Sequence, residues 1–176
     1  MASDRPAGTS PLALDTNPFL LLVTYRYFAS KNATAMKRLR TLSDVRGQPG
    51  DLPPESFDEL WYVFEHAKRR IITQHVVVEA LKSSRAGWLQ DHKDAVRDTA
   101  ICLLDEFKVE EHSCPILDLH GNKDYQTVLI ELGYTDAALL HTAERHKATL
   151  ITEDKKLISF AYARNVQVLS LVAQSR

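Results

Sequence analysis

Apolar residues fall along this chain in short runs that alternate between strand-like and helix-like spacing. Leu12-Ala13-Leu14 stops abruptly at Asp15, and Asp15, Thr16 and Asn17 are all helix-capping types, with Pro18 suited to a first turn. Residues 19–28 are apolar almost all round, which predicts a buried helix. A further helix is predicted over 33–42 behind Asn32. The Pro/Gly cluster Gly47, Pro49, Gly50, Pro53 and Pro54 then marks a loop insertion at about 43–55. Ser56 to Glu59 has the spacing of a capping box and opens a helix with Phe57, Leu60, Trp61 and Phe64 on one face, Lys68-Arg69-Arg70 being placed in its last turn.

The alternation continues. A strand is predicted over 71–73, a helix over 74–81 carrying Glu79, an amphipathic helix over 91–107, a strand over 109–117 and a helix over 124–132 stopped by Gly133. Thr135-Asp136 is read as the cap of a helix reaching His146. It is followed by a strand over 148–152, a helix over 155–164 and a last strand over 166–171. Strands alternating with helices imply crossover units. The expected class is α/β, a three-layer α/β/α arrangement around a central, mostly parallel sheet. Residues 1–11 read as a disordered tail and 12–176 as a single domain.

Composition narrows the class. The chain has 176 residues, with 22 Lys+Arg against 23 Asp+Glu, which excludes a globally basic nucleic-acid binder but leaves room for a local basic patch. Two cysteines, Cys102 and Cys114, rule out a disulfide framework and favour a reducing, cytoplasmic home. The longest apolar run, over 19–23, falls far short of the roughly 20 residues that cross a bilayer, so no membrane role is expected.

In parallel sheets, ligands sit beyond the carboxyl ends of the strands. Asp15 follows the first strand, Glu79 stands on the helix after the second, Asp136 opens the helix feeding a later strand, and Asp154 follows that strand. Four uncompensated acids repel one another unless a divalent cation lies among them. Oxygen ligands suit hard ions such as Mg²⁺ or Mn²⁺, and these ions serve phosphodiester hydrolysis by binding phosphate oxygens and activating water. Taken singly, Asp15, Asp136 and Asp154 have a plain explanation, since a capping carboxylate stabilises a helix by about 0.5–2 kcal/mol. Glu79 is less easily explained. Val76-Val77-Val78 and Ala80-Leu81 surround it with apolar residues, and charged groups are rarely buried without a partner.

Three segments, LALDTNPFL (12–20), TQHVVVEAL (73–81) and GYTDAALLHTAERHKATLITEDKKL (133–157), resemble the acidic motifs of PIN-domain nucleases, most closely the small bacterial VapC-type toxins. The resemblance spans about residues 12–171. It implies that Asp15, Glu79, Asp136 and Asp154 are catalytic, bind one or two Mg²⁺ or Mn²⁺ ions and cleave single-stranded RNA. Thr16, Asn17 and Thr152 then support them. The resemblance also implies a toxin neutralised by an antitoxin protein, and a homodimer. The helices around 19–28 and 57–64 are candidates for either partner surface, and their aromatics equally suit a core. Two departures stand out: the loop insertion lengthens the stretch between Asp15 and Glu79, and Leu157 falls where many relatives carry a further acid.

Among basic residues, Lys37, Arg38, Arg40, Lys68, Arg69, Arg70, Lys82, Arg85 and Lys155 are candidates to hold RNA phosphates, with Lys82, one turn beyond Glu79, foremost. Cys102, Cys114, His112 and His120 lack the paired spacing of a zinc site. Two other readings remain at this point: a PIN-like RNA-binding or scaffold domain without strong catalysis, and a phosphoacceptor signalling module, for which Asp118 is the best-placed mid-chain acid.

Overall fold

A computed structural model describes residues 10–30, 54–83 and 91–171. The predicted tail through residue 9, the helix over 33–42, Arg85 and nearly all of the loop insertion lie outside the described residues. Five strands form one sheet: β1 (Leu12–Leu14), β2 (Arg70–Thr73), β3 (Glu110–His112), β4 (Thr149–Ile151) and β5 (Val168–Leu169). Their order is β3-β2-β1-β4-β5 and every pairing is parallel. The eight helices among the described residues are α1 (Thr16–Ala29), α2 (Pro54–His66), α3 (Gln74–Ser83), α4 (Lys93–Glu106), α5 (Ile116–His120), α6 (Lys123–Leu132), α7 (Tyr134–His146) and α8 (Lys155–Ala163). The result is a three-layer α/β/α domain. Helix α1 packs against α2, α3 and α4, while α7 lies across β1 and β2 and joins α5, α6 and α8.

The central strands are buried on both faces, as a covered parallel sheet requires: Leu12, Ala13 and Leu14 in β1 and Leu150 and Ile151 in β4 are all in the core. Helix α1 inserts Phe19 through Val23 into that core. Phe57, Leu60 and Phe64 of α2 are buried too, and Trp61 stacks on Tyr25 and meets Phe107 edge to face. The aromatic faces of α1 and α2 thus serve the core in large part, with Tyr25, Phe28 and Trp61 partly buried against it and Tyr62 exposed.

Several boundaries differ from the periodicity reading. Helix α2 begins at Pro54 and ends at His66, so Lys68, Arg69 and Arg70 follow it, and Arg70 opens β2. Arg70 still closes the helix end, because its guanidinium donates to the carbonyls of Phe64 and Glu65 while lying over the Phe64 and Phe107 rings. Arg69 forms a forked ion pair with Glu110. Both guanidiniums are thus engaged within the fold. The strand predicted over 109–117 ends at His112; after Pro115 the chain turns into α5, leaving Leu117 exposed. Asp118 is thus helical and does not end a strand, which deprives the phosphoacceptor reading of its acid.

Candidate active site

At the carboxyl edge of the sheet, β1, β2 and β4 each reach a polar residue, Asp15, Thr73 and Thr152, where the apolar run stops. Asp15 directly follows β1 in extended backbone and caps α1, its Oδ1 accepting from the Thr16 N–H at 2.5 Å. Asp15 also donates its own backbone N–H to the Ile151 carbonyl, which continues the β1–β4 register by one step. That register sets Thr152 beside it. The Thr152 hydroxyl donates to Asp15 Oδ2 at 2.6 Å and accepts from the Asp154 N–H at 3.1 Å. One threonine thereby ties the acid after β1 to the loop after β4.

Asp154 caps α8, accepting from the N–H groups of Lys156 and Leu157 at 2.7 and 2.9 Å. Glu79 reaches the same edge from α3, where its Oε2 accepts from the Thr16 hydroxyl at 3.2 Å. Its apolar neighbours predict burial, but Glu79 is only half-buried and Val78 is 65% exposed. The face of α3 that carries Glu79 looks toward α1 and the sheet edge, and the valines are shared between core and solvent. Asp136 stands in the first turn of α7. It does not cap that helix: Gly133, with φ +82°, occupies the cap position without any side-chain bond. Thr135-Asp136 is therefore inside α7, and the Asp136 carboxyl is left to face the other acids.

The electrostatics reflect this convergence. Burial above all, with Asp15, Asp154 and Glu79 acting in the same direction, pushes Asp136 up to about 7. Asp15 is also raised, by burial above all; the hydrogen bonds from Thr152 and Thr16 oppose the shift, and Asp154 and Glu79 add to it. All the charges acting on Asp136 are negative. An all-oxygen donor set with uncompensated charge fits a hard divalent cation. Among the described residues no three His, Cys, Asp or Glu side chains are drawn together into a closed ligand group.

Asn17, half-buried in the first turn of α1, makes no hydrogen bond among those seen at the site. Lys82 and Lys155 are exposed, on the last turn of α3 and the first of α8. A neighbouring clamp was not signalled by the sequence. The Tyr134 hydroxyl donates to the Cys114 carbonyl and so accepts, at 3.2 Å, from His75 Nε2 as its N–H. His75 lies one turn before Glu79, and Tyr134 two residues before Asp136, so the clamp joins the helices bearing both acids.

Thr73 closes β2. It is fully buried, and its hydroxyl is the only buried side-chain oxygen or nitrogen among the described residues without a hydrogen-bond partner. The signal was present in the sequence: LALD, RIIT and LIT all end an apolar run with a polar residue.

No helix among the described residues is long and apolar enough to cross a membrane. No curated protein matches the chain. The PIN domain pattern matches residues 13–162. PIN domains are typically nucleases acting on nucleic acid, and they usually use divalent metal ions. With a match that runs from β1 into α8, the chain belongs to the PIN domain family.

Proposed function

We propose that this chain is a Mg²⁺- or Mn²⁺-dependent endoribonuclease that hydrolyses phosphodiester bonds of single-stranded RNA. The observation that carries the reading is the set of four carboxylates at one sheet edge, the other three all acting on Asp136 with the same sign. Asp15, Asp136 and Asp154 would hold the cation, and Glu79 would complete the set or orient the attacking water. When bound, such an ion supplies positive charge to the phosphate oxygens and to the developing leaving oxygen.

The chain's own groups do the rest. Thr152 and the Thr16 N–H fix both oxygens of Asp15, so that carboxylate is oriented before any substrate arrives. The Thr16 hydroxyl steadies Glu79 on the opposite flank. Lys82 and Lys155, exposed on either side, are proposed to hold RNA phosphates. Arg85 keeps its sequence-based candidacy only. The order of the motifs, a Thr-Asp-Ala helix followed by Leu-Ile-Thr-x-Asp, extends the proposal to a VapC-type toxin, acting in the cytoplasm as a homodimer and neutralised by an antitoxin protein covering the acidic edge.

The competing reading is an RNA-binding or scaffold domain, and it is favoured by the engagement of the Asp154 carboxylate as a helix cap. Cleavage separates the two. The wild type is expected to cut single-stranded RNA with Mn²⁺ and to stop with EDTA. Asp15→Asn and Asp136→Asn are expected to lose cutting by several orders of magnitude while keeping the wild-type circular dichroism. A wild-type chain that binds RNA and never cuts it establishes the scaffold, and variants that cut as well as the wild type refute the assigned roles.

A further inference from the structure

The parallel register gives Asp15 two lateral neighbours. Leu14 pairs with Ile151, so Thr152 flanks Asp15 on the β4 side. Ala13 pairs with Ile71, so two steps further along Thr73 flanks it on the β2 side. Side chains alternate faces along a strand, and register partners share a face, so Thr73, Asp15 and Thr152 lie in one row on one side of the sheet. The bond between Thr152 and Asp15 attests that geometry on one flank.

Thr73 has the ordinary duty of its position open to it and does not perform it. It stands directly before α3, as Asp15 stands before α1 and Asp154 before α8. Those two acids accept from the first N–H groups of their helices, whereas the Thr73 hydroxyl makes no hydrogen bond. A hydroxyl that is 0% exposed and unpaired is destabilising, and a chain gains nothing by keeping it unless something else completes it.

We propose that Thr73 is a further positioning residue of this site: its hydroxyl, on the flank of Asp15 opposite Thr152, hydrogen bonds a water of the hydration shell of the divalent cation. The inference rests on the nuclease reading above. Mg²⁺ and similar ions keep several of their waters when protein carboxylates bind them, and those waters need acceptors and donors held in place. Thr152 orients the carboxylate, and Thr73 orients the hydrated ion beside it.

The test uses Thr73→Val, which keeps the shape and removes the hydroxyl, and Thr73→Ser, which keeps the hydroxyl. Mn²⁺ binding is read from the loss of the free-ion electron paramagnetic resonance signal, and the fold from thermal melting in EDTA. Thr73→Val is expected to bind Mn²⁺ about tenfold more weakly than the wild type, with Thr73→Ser restoring the affinity to within roughly twofold. In EDTA, Thr73→Val is expected to melt no lower than the wild type, because a buried orphan has been removed. A Thr73→Val chain that binds Mn²⁺ like the wild type overturns the proposal. So does one that melts lower in EDTA, which assigns Thr73 to the fold. A wild-type chain that takes up no Mn²⁺ overturns the nuclease reading and this inference together.

Discussion

Asp136 carries the largest consequence of any single residue. Burial, followed by Asp15, Asp154 and Glu79, raises it from 3.8 to about 7. A folded-state value above the unfolded one means the folded chain holds that proton more tightly. The folded-state penalty on this carboxyl is therefore absent below pH 3.8, grows as pH rises, and is complete above about 7. Asp136→Asn removes the charge. It is expected to stabilise the metal-free protein near pH 8 by on the order of 1–2 kcal/mol, once solvent screening of a partly exposed group is allowed for. Near pH 4 the gain is expected to vanish. Urea unfolding in EDTA at the two pH values checks this, and an equal gain at both would remove the charge as its cause.

At the scale of elements, helix starts do double service. Asp154 is both the cap of α8 and an acid of the site, and the two roles separate by substitution. Asn caps about as well as Asp, so Asp154→Asn is expected to melt like the wild type while losing RNA cleavage. Asp154→Ala loses the cap as well and is expected to cost about 1 kcal/mol of stability. Thermal melting beside cleavage assays distinguishes them; full activity in Asp154→Asn would leave Asp154 only its cap. Helix α7 follows the opposite logic. Gly133 supplies the turn through its positive φ, which spares Asp136 from capping and leaves its carboxyl for the other acids.

At the scale of the whole molecule, the acids come from four separate stretches of chain, held together by β1, β4, α3 and α7. Folding has to bring these like charges together, so a cation that binds only the assembled edge must stabilise the whole domain. Mn²⁺ at about one hundred times its dissociation constant is expected to add about 2.7 kcal/mol, seen as a rise of several degrees in melting temperature. EDTA is expected to reverse the rise. Asp15→Asn and Asp136→Asn are expected to flatten it, and an undiminished rise in both would place the ion elsewhere.

Periodicity was enough to read the α/β class, the buried first helix and most element centres, because runs such as Leu12-Ala13-Leu14 and Phe19 to Val23 follow local spacing rules. It overextends the strand over 109–117, where Pro115 leads into α5 and tertiary packing leaves Leu117 in solvent. The four candidate acids could be picked out because Asp15 and Asp154 each come after a strand, and Glu79 and Asp136 stand on helices adjoining one. What each does could not be. Whether Asp136 caps its helix, how far Glu79 is buried, and which threonine bonds Asp15 all depend on neighbours distant in sequence. Only the lateral register of parallel strands brings Thr73, Asp15 and Thr152 into one row, and hydrogen bonding across that row is a property of the sheet, not of any one strand.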